Sequence, residues 1–225
     1  MNEIIEIAVA IDYATRKHKD QKRKNGNDYI SHPLAVFQYL KDRNFGTDYL
    51  LAALFHDLLE DTDATKTEIL DLSNENVLTA VTLLTKSKDV STKQYIKKIL
   101  ENPIAKEVKN ADRIHNLSEL NNNSPEFVDR YLRNTKEHYV GKFSKELDTL
   151  YDSIIDIVSS AHYTVDDSMG DSSAIYKEDC TGAYIYDKEK GFIETDKYFW
   201  ANLGDNALEI DKEECIRRIK LLSSS

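Results

Sequence analysis

The stretch ALFHDLLEDT, residues 53–62, sets one imidazole and three carboxylates just past an apolar run. On a helix, Glu60 falls four residues after His56 and three after Asp57, and Asp61 four after Asp57. Those spacings put the groups on neighbouring faces of one turn. Acids this close repel one another unless a cation or a proton intervenes. Imidazole with carboxylate suits Mn, Fe, Co or Zn. The plainer reading is a helix end decorated with acids, and the His-Asp dipeptide alone does not decide between the two.

Other residues bear on the choice. His32 precedes Pro33 and an apolar run, where a histidine serves as a helix cap or as a ligand. Asp112 interrupts a buried helical pattern made by Val108, Ala111 and Ile114. A carboxylate there is costly unless paired. Asn116, four residues on, shares its face, whereas His115 points elsewhere on that helix. The stretch RKHKDQKRK, residues 16–24, is strongly basic in a chain of net charge −10. It is either a solvated helix end or a site for a small, multiply phosphorylated ligand.

The elements that must carry these groups read as helices. Ile4, Ile7, Ala8, Ile11 and Ala14 form a helical stripe. After the polar turn KNGND, His32-Pro33 opens a second helix whose buried face holds Leu34, Phe37 and Leu40. A third runs from about Asp48 to Leu59 and includes LLAALF. Thr65 and Glu68 have capping-box spacing. Val77, Leu78, Val81 and Leu84 mark the next helix, and Tyr95, Ile96, Ile99 and Leu100 one that stops near Asn102-Pro103. Ile104 to Ile114 continue the pattern, Ser124-Pro125-Glu126 starts another helix, and Phe143 to Val158 make a long amphipathic one. The residues YTVDDSMGDSS then read as a loop. AYIYDKEKGFIET reads as two short strands around a turn, DKYFWANLGDNALEI adds further strand, and DKEECIRRIKLL a final helix.

The expected fold is therefore mainly α. A helical bundle over residues 1–161 is followed by a small mixed α/β extension over residues 162–225. Seven glycines and three prolines in 225 residues favour helices over a β-sandwich. The acidic balance argues against a nucleic-acid partner. The apolar runs are too short for a membrane span and the N-terminus lacks a signal-peptide pattern. Cys180 and Cys215 make no disulfide framework, so the expected setting is the cytoplasm, with no membrane partner.

Taken together, HKDQKRKNGNDYISHPLAV, AALFHDLLEDTDAT and VKNADRIHNLSEL resemble the three signature blocks of HD-domain metal-dependent phosphohydrolases of the RelA/SpoT hydrolase type. The nearest resemblance is to the stand-alone small alarmone hydrolases. The resemblance covers roughly residues 5–145 and implies an HD-domain helical bundle. It implies His32, His56, Asp57 and Asp112 as ligands of one Mn²⁺, with Zn²⁺, Fe²⁺ or Co²⁺ as other candidates. It implies Glu60 and Asp61 as the catalytic acids beside the attacking water, and Arg23, Lys24, Tyr29 and Asn116 as substrate contacts. Lys86, Lys88, Lys93 and Arg130 are further candidates for the distal phosphates, or plain surface charge.

The implied reaction is hydrolysis of ppGpp or pppGpp to GDP or GTP and pyrophosphate by a metal-activated water. The same site could instead serve as an NADPH 2′-phosphatase or an adenosine alarmone hydrolase, or the fold could be a non-catalytic regulatory module. The implied partner is the nucleotide, with a homo-oligomer left open. Two departures stand out: Asn110 where the family has an apolar residue, and Ser73-Asn74 where it has an aromatic-glycine step.

Overall fold

The computed structural model describes residues 3–120, 123 and 125–159 and five strands beyond them, with side chains for residues 3–120, 123 and 127–155. The chain divides into two compact units, Met1–Tyr151 and Asp152–Ser225.

The first unit is helical. Its elements are α1 (Glu3–Lys17), α2 (Ser31–Asp42), α3 (Thr47–Phe55), α4 (Leu58–Asp61), α5 (Lys66–Asp71), α6 (Glu75–Leu84), α7 (Thr92–Glu101), α8 (Pro103–Ser118) and α9 (Pro125–His138), with the start of α10 (Lys145–Ser159). The run LLAALF makes α3 apolar on every side, so it must be enclosed. Leu50 to Phe55 are all buried, and α3 packs against α1, α2, α6 and α8. Helix α8 supplies the other half of the core, packing on α2, α3, α6 and α7.

The boundaries follow local chemistry. Thr65 and Glu68 form the expected capping box at α5. Asn102 ends α7 and caps α8 by accepting from the amide of Ala105, and Pro103 takes the first turn, where its missing N–H costs nothing. Pro125 likewise begins α9, while Ser124 lies outside the described residues. Asn74, in place of the family's glycine, caps α6 by accepting from Asn76 and Val77. Asn110 is buried at α8 and accepts from the hydroxyl of Ser144 (2.8 Å), so its polarity is satisfied at the start of α10 and not in the site.

Two expectations need correction. The buried face of α1 is Ala10, Tyr13 and Ala14, all in its C-terminal half; Ile4 is 75% exposed and Ala8 is exposed. Regular spacing marked the stripe, but the first turns run past the core. The helix expected from Asp48 to Leu59 is broken at His56 and Asp57. The ring Nδ1 of His56 bonds the carbonyl of Ala53 (2.8 Å). In a continuous helix that carbonyl would receive the amide of residue 57. The side chain competes for it, and the helix is interrupted before α4.

The second unit holds β1 (His162–Asp166), β2 (Ala174–Asp179), β3 (Gly182–Asp187), β4 (Gly191–Thr195) and β5 (Ala207–Ile210). They form one antiparallel sheet in the order β4-β3-β2-β1-β5. The two strands expected around the DKEK turn are β3 and β4, with Ile185 opposite Ile193. The segment taken for a loop after Ala161 contains β1, pairing Val165 with Ile175 and Leu208. Its alternating Tyr163-Thr164-Val165 is strand-like, and the acids and serines that follow obscured it. The expected final helix and both cysteines lie outside the described residues.

Glu68 gives a test of this framework. Hydrogen bonds from the backbone amide and hydroxyl of Thr65, then Lys17, lower its pKa from 4.5 to about 2. A lowered folded-state pKa means the ionised form is favoured by folding. Its contribution is complete above the unfolded value and is lost as pH falls through about 2. Glu68→Gln should therefore lower Tm at pH 6, and the gap from wild type should close as melting is followed down to pH 2.

Candidate metal centre and its adjoining cavity

Three helices meet at one point. The first turn of α2 brings His32, the break after α3 brings His56 and Asp57, and the middle of α8 brings Asp112. Both histidines and Asp112 are buried. The two imidazole Nε2 atoms lie 3.2 Å apart. His32 Nε2 is 3.1 Å from Asp112 Oδ1 and 3.7 Å from Asp57 Oδ2, and His56 Nε2 is 3.1 Å from Asp57 Oδ2 and 4.0 Å from Asp112 Oδ1. Donor atoms of His32, His56 and Asp57 all fall within 4.8 Å of one another, the spacing of a metal-binding group.

The distances among His32, His56 and Asp57 fit one ion, and Asp112 stands beside the two histidines but outside that group. Ligand atoms about 2.1 Å from a shared cation, roughly at right angles, stand about 3 Å apart. The hydrogen bonds fit as well. Because His56 Nδ1 faces a carbonyl, which only accepts, that nitrogen carries a proton, and Nε2 is the ring atom turned to the cluster. His32 Nδ1 lies 2.8 Å from Nδ1 of His115. With His32 donating, His115 accepts, and the Nε2 of His32 is the atom that faces the cluster. An outer partner of this kind fixes the tautomer of a metal-binding histidine.

The electrostatics call for positive charge. Burial disfavours charge on His56, yet Asp57 and then Asp112 raise its pKa to about 9. Burial likewise opposes ionisation of Asp57 and Asp112, but His56 holds the first low, and Lys109 with His32 the second. Lys109 Nζ pairs with Asp112 Oδ2 at 2.7 Å, away from the oxygen facing the histidines.

The acids Glu60 and Asp61 are placed differently. Asp61 Oδ2 lies 3.0 Å from the hydroxyl of Tyr29, which also lies 2.8 Å from Asp57 Oδ2. Tyr29 has one proton for two carboxylates, so it joins the cluster to Asp61. Glu60 is exposed and accepts from the backbone amide of Lys86 (3.2 Å).

The expected substrate residues gather beside this centre. The loop after α1 doubles back as a tight hairpin, with Arg23 N–H to Asn27 O (2.8 Å), Tyr29 N–H to Gln21 O (3.0 Å) and Gly26 at φ +86°. Space does not require glycine there; the left-handed φ does. The hairpin aims Arg23, Lys24 and Tyr29 into a cavity of about 200 Å³ shared with Asn116.

Arg23 donates to Glu119 (2.6 Å) and to Asn116 Oδ1 (3.0 Å), and Asn116 Nδ2 donates to Asp112. Lys24 donates to Asn123 and lies 3.9 Å from the centre of the Phe127 ring. The sequence reading missed Glu119, Asn123, Phe127 and Tyr131, which also line the cavity, and gave His115 no part. Glu119 stands four residues after His115 and so shares its face, a signal that was available.

The four remaining cations are not among the side chains lining this cavity. Lys86 donates to Thr92, Arg130 lies over Phe127, and Lys88 and Lys93 are exposed.

The sequence profile of the HD domain matches residues 10–141. The chain belongs to the HD-domain family. It is 36% identical over 134 residues to the human guanosine-3′,5′-bis(diphosphate) 3′-pyrophosphohydrolase MESH1, covering 56% of this chain and 75% of that protein. It is 39% identical over 123 residues to the Aquifex aeolicus guanosine-3′,5′-bis(diphosphate) 3′-pyrophosphohydrolase. That match covers 51% of this chain but 18% of the relative, so the chain spans less than a fifth of its length.

A solved structure of a metazoan orthologue of SpoT, described as hydrolysing ppGpp, superposes with a TM-score of 0.56 at 27% identity, over 67% of this chain and 94% of that one. HD domains are metal-dependent, and this one has a donor set to match. Among the described residues, no helix is long and apolar enough to cross a membrane.

His115 supplies the test. Outer partners of metal-binding histidines are worth about 10- to 100-fold in metal affinity. His115→Ala should weaken binding of a divalent ion by that range in a calorimetric titration, whereas Asp57→Ala should abolish it. Unchanged affinity in His115→Ala would show that His32 does not depend on it.

Proposed function

We propose that this HD domain is a Mn²⁺-dependent 3′-pyrophosphohydrolase that converts ppGpp or pppGpp to GDP or GTP and pyrophosphate. One observation carries the reading. Asn116 and Tyr29 each touch the metal-ligand cluster on one side and line the cationic, aromatic-walled cavity on the other. A nucleotide in the cavity would thus lie against the cluster. The names of the relatives in human and Aquifex point to the same substrate.

In this proposal His32, His56, Asp57 and Asp112 hold the ion. Bound there, it supplies Lewis acidity towards water and a phosphate oxygen. Asp61 accepts the proton of the attacking water, and Glu60, held by the Lys86 amide, helps orient it. The water oxygen bonds to the phosphorus on the ribose 3′ oxygen. The bond from that phosphorus to the 3′ oxygen breaks, the 3′ oxygen takes up a proton, and pyrophosphate leaves. Arg23 and Lys24 offer planar and point positive charge to base or phosphate. Phe127 and Tyr131 offer faces for a purine. We assign this chemistry to residues 1–161 and treat 162–225 as a separate extension.

The test is an assay of the full chain loaded with Mn²⁺, following GDP and pyrophosphate from ppGpp, with NADPH and an adenosine 3′-diphosphate analogue alongside. The expected result is intact pyrophosphate from the guanosine substrate. Glu60→Gln and Asp61→Asn should each lower kcat by about 10²- to 10⁴-fold, the range for a lost acid–base group. Turnover of NADPH alone would reassign the substrate. No turnover of any of them with Mn²⁺ bound would leave a binding module.

A further inference from the structure

A buried histidine next to this site has no part in the reaction described so far. His18, just past the end of α1, is 2% exposed. Its ring stacks on Tyr29, with centroids 4.7 Å apart and planes 29° from parallel. Its Nδ1 is 2.8 Å from Gln21 Oε1, and the other end of Gln21 donates to the backbone carbonyl of Asp61 at 2.6 Å.

This network fixes every proton in it. A backbone carbonyl only accepts, so the Gln21 atom beside Asp61 must be the amide nitrogen. Oε1 therefore faces His18, and His18 Nδ1 must carry a hydrogen to donate. The other ring nitrogen, Nε2, is a buried atom without a hydrogen-bond partner. A hydrogen there would have no acceptor, so the surroundings select one tautomer.

We propose that His18 and Gln21 are positioning residues. Together they hold Tyr29 and the Asp61 backbone so that one hydroxyl spans a metal-ligand carboxylate and a catalytic carboxylate. The proposal rests on the hydrolase reading above. His18 supplies the ring under Tyr29, and Gln21 ties that ring to Asp61. Gln21 is also joined to Tyr29 through the backbone, its carbonyl receiving the Tyr29 amide at 3.0 Å. The neighbouring Lys17 anchors the same corner, pairing with Asp63 (2.9 Å) and Glu68 (3.1 Å) beyond α4. The end of α1 thereby grips the segment carrying the catalytic acids from two sides. If the register of Tyr29 to Asp61 slipped, reactant geometry would suffer while Arg23, Lys24, Asn116 and Phe127 still lined the nucleotide cavity, so the larger loss belongs in kcat.

The experiment uses the full chain with Mn²⁺ and ppGpp, comparing wild type, His18→Phe, Gln21→Leu and the double variant. His18→Phe keeps the ring and removes the donor, and Gln21→Leu removes the link at a half-buried position. We expect each to lower kcat by about tenfold, a loss of the kind a small misplacement produces. KM and Mn²⁺ affinity should stay within about twofold, and the double variant should be no slower than the worse single one, as for groups acting as one unit. Nitrogen-15 NMR of the imidazoles should show wild-type His18 protonated on Nδ1 alone, with the pattern changed in Gln21→Leu.

A His18 ring protonated on Nε2, additive losses, or losses in KM together with Tm would overturn the proposal and leave His18 as packing. Wild-type turnover with unchanged variants would overturn the positioning role and leave the hydrolase reading standing. A wild type that turns over nothing would refute that reading, and the positioning role with it.

Discussion

Two imidazole nitrogens 3.2 Å apart, both facing carboxylates, form an arrangement that calls for positive charge between them, from a proton or a metal cation. The protein builds this arrangement inside its core, where the charge matters most. His32 and His56 are held by bonds at their far nitrogens, so neither ring can turn away without stranding a buried polar nitrogen. Lys109 compensates one oxygen of Asp112 and leaves the other to the cluster. The centre is thus preorganised for a cation by contacts outside the ligand set.

The rest of the first unit follows from keeping that point fixed. Helix α3 is enclosed by four others and ends where the His56 ring takes a helix carbonyl, and the resulting break carries Asp57 and α4 into place. Helix α8 and its C-terminal cap Glu119 present Asp112, His115, Asn116 and Glu119 along one side, so the candidate metal site and the cavity share a rigid rail. The hairpin of residues 21–29 lies across it and closes the cavity with Arg23, Lys24 and Tyr29. Asn116 and Tyr29 are the joints, each serving both compartments.

Much of this was legible in the sequence because it rests on residue type and short spacing. The helix starts at Thr65, Asn102-Pro103 and Pro125 are local signals, and the structure keeps all three. The convergence of His32, His56, Asp57 and Asp112 was legible through resemblance, not periodicity, since they come from three separate elements. What stayed hidden depends on tertiary geometry or on competition for a single atom. Helical spacing assumed an unbroken turn through His56 and could not foresee a ring occupying the Ala53 carbonyl. It put Ile4 in one stripe with Ala14 because the pattern carries no information on where the core ends. Phe127 and Tyr131 reach the cavity only because α9 folds back beside α8, where Arg113 lies 4.3 Å from the Tyr131 ring and 3.7 Å from that of Tyr139.

The most direct measurement is anomalous diffraction at the manganese edge from crystals of the full chain grown with Mn²⁺. The account predicts a single strong peak in the first unit, within coordinating distance of His32 Nε2, His56 Nε2, Asp57 and Asp112, with His115 still bonded to His32. A peak coordinated elsewhere in that unit, or none at saturating Mn²⁺ with the four side chains collapsed on one another, would contradict it.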